Sequence, residues 1–230
     1  MLRRIAPAAF ILLSACSALS RTPTQSSNSP SASLPDIQCR GEVPAALQKT
    51  FGDLRLAQPN DFIPVIQKLE QQSRQPNRPK ISYTCSIFST DFNQDQQQDY
   101  AVLLVNPQTQ TSQFRLAINQ GNQTFKSAIV RDYPRPPAGI RQPVYVAMLL
   151  KRSGEQGPAN REYFPLKRNT PEREAFIAQP AIEVWRSPNE YKARTASKLS
   201  AIKWFNQAVG YGSEIFYFSN GELKTIGVAD

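Results

Sequence analysis

The chain has 230 residues, with 27 Lys and Arg against 18 Asp and Glu, a formal net charge of +9 and no histidine. The missing histidine excludes every histidine-based triad, zinc sites built on imidazole and the commonest general base. The length suits one substantial domain, and the basic balance would raise nucleic acid as a partner if the chain stayed in the cytoplasm.

The first residues argue against the cytoplasm. In "MLRRIAPAAFILLSAC", Arg3 and Arg4 make a positive start and residues 5–13 a short apolar run, the pattern of an export signal. The run is too short to cross a bilayer, which takes roughly 20 residues. Its end, "LSAC" (Leu13, Ser14, Ala15, Cys16), resembles the lipobox of bacterial lipoproteins. The resemblance implies cleavage before Cys16, with diacylglycerol on its sulfur and, in many bacteria, a fatty acyl chain on its nitrogen. Several acyl chains together hold a soluble domain on a membrane where one would let go. The alternative is an ordinary secreted protein whose apolar run ends near a cysteine. Ser17, not aspartate, follows the cysteine; by the same resemblance this favours the outer membrane, facing the periplasm, over the inner one.

Export also bears on the other cysteines and on the charge. With Cys16 acylated, Cys39 and Cys85 remain as a pair, and an oxidising compartment makes a disulfide the default. Closing a loop of that size is worth roughly 4 kcal/mol in the entropic model. Two buried free thiols are the other reading. Outside the cytoplasm the anionic partners on offer are lipid head groups, cell-wall polymers and other envelope proteins, not nucleic acid. The cations are dispersed, with Arg131, Arg135 and Arg141 in one region, Lys167 and Arg168 in a second, and Lys192, Arg194 and Lys198 in a third. That spread favours a solvated surface over a dedicated anion patch.

Residues 16–36 comprise Cys16 and a Ser-, Thr-, Pro-, Gln- and Asn-rich stretch with little to bury. Such a segment cannot offset the entropy of ordering, and as a flexible tether of about 20 residues it reaches on the order of 25 Å. The globular domain is expected over 37–230. "EVPAALQKTF" puts Val43, Leu47 and Phe51 on one face of a short helix. "NDFIPVIQKLEQQS" predicts a second helix, with Asn60 or Asp61 as N-cap, Pro64 in the first turn, and Phe62, Val65, Ile66 and Leu69 at helical spacing.

Strands follow at 81–88, 100–105, 113–119 and 124–130, separated by polar turns. The runs at 100–105 and 144–150 are continuously apolar, as in strands covered on both faces. The 113–119 segment alternates, so one of its faces should meet water. Close spacing points to an antiparallel meander, because parallel crossovers need a dozen or more residues. Residues 151–180 read as a long polar loop with one short strand at "EYFPL", and 181–186 and 201–205 as further strands. In "SEIFYFSNGELKTIGVAD", Asn220-Gly221 is a preferred two-residue hairpin turn. It sets Phe218 against Leu223 and Phe216 against Thr225 on one face, and Ile215 against Ile226 and Tyr217 against Lys224 on the other. The aromatic face is read as core packing in preference to a ligand platform. The expected fold is α+β, with short N-terminal helices on a mostly antiparallel sheet that ends in a hairpin.

The sharpest chemical pattern is "DFNQDQQQD", with Asp91, Asn93, Asp95, Gln97 and Asp99 at alternate positions running into an apolar strand. Calcium takes six to eight oxygens, and a tight loop can supply them from side chains and the Gln97 carbonyl. The spacing resembles the D-x-[DN]-x-D-G-x-x-D loop of the FG-GAP and VCBS calcium-binding elements. Gln96 stands where those loops carry glycine, and Gln94 where they often do. A left-handed non-glycine costs roughly 1–2 kcal/mol. The other reading is a loop whose Asp and Asn side chains bond their own backbone and start the next strand. The single copy counts against a β-propeller.

Enzymatic signals are sparse. Ser200 and Lys203 have S-x-x-K spacing without the companion motifs of serine acyl-enzymes. A carboxylate pair for hydrolysis could draw on Glu172, Glu174, Glu183 or Glu190. The lipobox, the tether, the cysteine strand leading into "TDFNQDQQQDYAVLL" and the terminal "EIFYFSNGELKTIGVAD" together resemble a loose group of uncharacterised bacterial exported proteins, which implies fold type and location but no reaction. The expectation is therefore a non-enzymatic envelope protein with a binding or structural role and one structural calcium site, no catalytic residues and no other cofactor; the alternative is an envelope hydrolase with a carboxylate mechanism.

Overall fold

A computed structural model describes residue 39 and residues 42–77, 81–136, 139–156, 166–185 and 212–228, all within the unit Ser33–Asp230. The elements in chain order are α1 (Ala45–Gln48), β1 (Arg55–Leu56), α2 (Pro64–Ser73), β2 (Ile87–Thr90), β3 (Asp99–Asn106), β4 (Thr111–Asn119), β5 (Phe125–Tyr133), β6 (Ala147–Lys151), α3 (Pro171–Ala178), β7 (Ala181–Trp185), β8 (Ser213–Ser219) and β9 (Glu222–Val228). The fold is α+β and rich in strands. Among the described residues no helix is long and apolar enough to cross a membrane. The segments expected to be signal and tether, Cys16, Glu190, Ser200, Lys203 and the strands expected at "EYFPL" (its Leu166 apart) and 201–205 lie outside the described residues.

The described strands form two antiparallel sheets where one was expected. In the first, β4 lies between β3 and β5, while β1 and β2 share the other edge of β3: Arg55 faces Val105 and Ile87 faces Val102. The second runs β6-β7-β8-β9. The chain changes sheets after β5 through a segment holding Pro134, Pro136 and Pro143, and residues without an N–H cannot extend a ladder.

Alternation along each strand assigns the layers. Ala101, Leu103 and Val105 of β3, with Phe114 and Leu116 of β4, join Ile182, Val184 and Phe216 of the second sheet in one core. Phe114 and Phe216 meet there at a ring separation of 5.3 Å. At the border of this core Arg131 makes two hydrogen bonds to Glu214, at 3.0 and 2.6 Å, and lies over the Phe216 ring. The other face of β3, with Tyr100, Val102 and Leu104, packs with Val43, Leu47 and Phe51 around α1. The outer face of the second sheet, through Ala181, Ile215, Tyr217 and Ile226, packs on Phe176 of α3. The face of β4 expected to meet water is thus partly covered, as Ala117 is buried with the α1 cluster and Arg115 donates to the Thr50 carbonyl at 3.0 Å.

Several boundaries move for identifiable reasons. Asp61 does not cap α2; its carboxylate takes Arg55 in two bonds of 2.6 and 2.8 Å and the Gln58 N–H at 2.6 Å, closing a 3-10 turn over Pro59–Asp61. The helix starts instead at Pro64, whose missing N–H costs nothing at the first helical position. Residues 81–86 are not strand, because the N–H groups of Tyr83 and Thr84 turn to the Glu70 carboxylate. Residues 144–146 precede β6, and Val144 bridges in parallel to Phe62. The polar stretch after β6 contains a helix that the sequence reading missed. Thr170 caps it by accepting the Arg173 N–H, Pro171 stands first, and Glu172 and Glu174 lie in its first turn, where acidic groups complement the helix dipole. The terminal hairpin has the expected register, including Phe218↔Leu223 and Ile215↔Ile226, with Asn220 and Gly221 at φ 53° and 75°.

Phe114 is fully buried between the sheets, so Phe114→Ala should destabilise by about 3–5 kcal/mol. Ile129→Ala, at a site 52 % exposed on β5, should stay within about 0.5 kcal/mol of the parent. Urea unfolding of both variants checks the pair.

Candidate functional site

The loop of residues 91–99 joins β2 to β3 and folds around its own acids. The Asp91 carboxylate accepts the N–H of Asp95 at 3.0 Å and of Gln96 at 2.7 Å. Asn93 accepts the Asp95 N–H at 3.3 Å and donates its amide to Asp95 at 2.9 Å. Asp95 in turn accepts the Gln97 N–H at 2.9 Å. Gln94 and Gln96 are left-handed, at φ 63° and 67°, a backbone region that favours glycine, so both positions carry strain. The short acceptor bonds offset that cost and explain why Asp and Asn stand at alternate positions.

Asp99 has a different task. As the first residue of β3 it is fully buried, and its two oxygens accept the N–H groups of Phe92 at 3.0 Å and Asn119 at 2.8 Å. It therefore ties the loop to the end of β4. Burial pushes its carboxyl up to about 7; the two backbone donors oppose this, and the charges of Asp95 and Asp91 add to it. The Gln97 side chain lies against Gly121 in the β4–β5 turn.

Asp91, Asn93 and Asp95 thus form one local network, with Asp99 anchored beneath it. Among the described residues no group of three or more His, Cys, Asp or Glu side chains is set to hold a metal ion. Each carboxylate oxygen in the network retains lone-pair capacity beyond the one donor it accepts, a backbone N–H or, for Asp95 Oδ2, the Asn93 amide. A cation there would need the Asn93 oxygen, not its amide nitrogen, turned to Asp95.

Cys39 and Cys85 are joined by a disulfide, with Cα atoms 4.5 Å apart and a sequence separation of 46. Beside it lies Glu70, a buried acid of α2 that the sequence reading missed. Its carboxylate accepts Arg74 at 3.2 and 2.8 Å, the Ser82 hydroxyl at 2.9 Å, and the N–H groups of Tyr83 at 2.7 Å and Thr84 at 3.2 Å. Burial pushes this carboxyl up, but the bonds from Arg74, Ser82, Thr84 and Tyr83 together hold it below its ordinary value. The i,i+4 spacing of Glu70 and Arg74 was visible in the sequence; the approach of residues 82–84 was not.

A second missed group is Lys151, fully buried at the end of β6. Its ammonium donates to the carbonyls of Arg152, Ile177 and Gln179 and lies 4.8 Å from the Phe176 ring centre. Burial pushes it down to about 8. It fastens the end of α3 to the second sheet. The carboxylates named for hydrolysis are placed apart in character, with Glu172 and Glu174 exposed on the first turn of α3 and Glu183 buried in β7. A groove of about 450 Å³ opens beside α1 and β1, its lining including Val43, Phe51, Leu54 and Leu56 with Glu42 and Arg55. Comparison with protein-family models, with curated proteins and with solved structures finds no match to the chain.

The Glu70 arrangement sets an acid limit. A carboxyl held low in the fold contributes stability that is present above its ordinary value of 4.5 and lost as pH falls through the folded value. Glu70→Gln should cost roughly 1–3 kcal/mol at neutral pH and flatten the loss of stability below pH 4.5. Urea midpoints measured down the acid range check both effects.

Proposed function

We propose that the chain is a lipid-anchored bacterial envelope protein, held by Cys16 on the periplasmic side of the outer membrane, with a non-enzymatic binding or structural role. The observation that carries this reading is the Cys39–Cys85 disulfide. A cross-link of this kind belongs to oxidising compartments, and it pairs the two cysteines that remain once Cys16 is assigned to lipid. The basic start, the apolar run and "LSAC" supply the export route, and the polar stretch that follows supplies reach. The half-apolar groove beside α1, with a charge of each sign among its lining residues, supports binding to an envelope protein or cell-wall polymer.

The finer part of the proposal is a structural calcium ion at Asp91, Asn93, Asp95, the Gln97 carbonyl and Asp99. What supports it is the ordered loop around Asp91, with left-handed residues where calcium loops favour glycine, and the acid spacing itself. In this role the ion would stiffen the entry to β3 and take no part in a reaction.

Two measurements test the halves separately. Expressed in a double-membraned bacterium, the full chain should incorporate a labelled fatty acid and fractionate with the outer membrane. Cys16→Ser should abolish the label and release the chain; label retained on that variant overturns the anchor. Thermal unfolding in calcium and in EDTA tests the loop. Calcium at about 100 times its Kd should stabilise by roughly 2.7 kcal/mol, and Asp95→Ala should abolish the effect. Identical melting curves reduce the loop to a turn that starts a strand.

A further inference from the structure

The tip of the terminal hairpin combines three features found together nowhere else among the described asparagines. Asn220 is the one asparagine in the sequence followed by glycine. Asn220 and Gly221 are both exposed, and a Cβ added at Gly221 would meet nothing within 4 Å, so no neighbouring group crowds the tip on that side. Among the described residues the Asn220 carboxamide holds no hydrogen bond. The contrast with its counterparts is chemical. Asn93 is tied to Asp95 through both ends of its amide. Asn106 accepts two backbone N–H groups and precedes Pro107, which has no N–H to react. Asn119 accepts the Gly121 N–H. Asn122 and Asn169 precede Gln123 and the β-branched Thr170, side chains that crowd the following nitrogen.

We propose that Asn220-Gly221 is a self-modifying site, at which the Gly221 backbone nitrogen attacks Asn220 Cγ, ammonia leaves, and water opens the resulting succinimide to aspartate or isoaspartate. The Gly221 nitrogen gives up its proton as the bond to Cγ forms, and the carboxamide nitrogen departs as ammonia. Water then adds across one of the two imide C–N bonds; no oxidant, metal or other co-reactant enters. Both reacting groups lie beyond Ser219↔Glu222, the last pair of the ladder, so their approach needs motion of the turn alone.

The products are not equivalent for the fold. Aspartate puts a negative charge next to Glu222, which already pairs with Lys224. Isoaspartate adds a backbone atom to a turn that two residues close, and such a turn cannot keep its register when lengthened. The pairs nearest the tip, Ser219↔Glu222 and Phe218↔Leu223, are the first affected, and among the described residues β9 has β8 as its one ladder partner. Isoaspartate formation is therefore expected to loosen β9 from the tip inward.

The full chain is incubated in mildly alkaline buffer beside a free peptide of residues 216–224, with peptide mapping and ammonia release followed over time. Asn220 should convert several-fold faster than any other asparagine of the folded chain, with ammonia released in step and isoaspartate among the products. Conversion spread evenly over the asparagines, or an intact Asn220 after the peptide has fully converted, overturns the proposal. Gly221→Ala should slow the reaction several-fold; because φ there is 75° and alanine is strained, the comparison with the peptide stands without it. Hydrogen exchange over 222–228 should be faster in the isoaspartate fraction, and unchanged protection overturns the structural consequence.

Discussion

The strand β3 has no face for water. Seven of its eight residues, from Asp99 to Val105, are buried, and its side chains alternate between two apolar layers, so the chain must supply a cover on each side. Toward one side the cover is the second sheet, through Ile182, Val184 and Phe216. Toward the other it is the segment around α1. That helix has four residues, far below the roughly 12–15 that let an isolated helix persist. Tertiary packing holds it, through Leu47 and the flanking Val43 and Phe51. The backbone of β3 is equally committed, with β4 along one edge and β1 and β2 end to end along the other.

Burial of β3 also decides the chemistry at its entrance. Asp99 is the first residue of the strand and goes under with it, which is why its carboxyl titrates high and why its oxygens are spent on backbone donors from two other segments. Asp91, Asn93 and Asp95 above it stay half-buried or exposed and organise themselves through short bonds from their side chains. The loop that resembles a cation site is thus also a splice between β2, β3 and β4. Its acids have structural work whether or not an ion joins them.

What the sequence disclosed were the features set by neighbours along the chain. The Asn220-Gly221 turn fixes its register locally, and β3 announced its double burial by an unbroken apolar run. The helix α2 showed its face through Val65 and Ile66. The helix α3 carried readable marks too, Thr170 before Pro171 with Glu172 and Glu174 after, but its buried face is little more than Phe176 and the stem of Arg173. So thin an apolar stripe does not stand out from a loop. The division into two sheets was hidden because alternation shows that a strand has a buried face and not which strands lie across from it. Glu70 and Lys151 were hidden for a related reason: their partners lie 12 to 14 and 26 to 28 residues on, and only folding brings them close. The loop at 91–99 was legible as geometry, down to the left-handed Gln96, because its hydrogen bonds are local.

The disulfide gives the domain a mechanical property. Tension applied to the chain ahead of Cys39 passes through sulfur to Cys85, two residues before β2 begins. The intervening residues, with α1, β1 and α2, hang in a covalent loop off the path of the force. Such a pull therefore loads β2 and its ladder to β3 directly, where hydrogen bonds share the strain, and spares the short helices that would otherwise peel first. With the bond reduced, the same pull reaches α1 before any strand, and the outer cover of β3 becomes the part that yields.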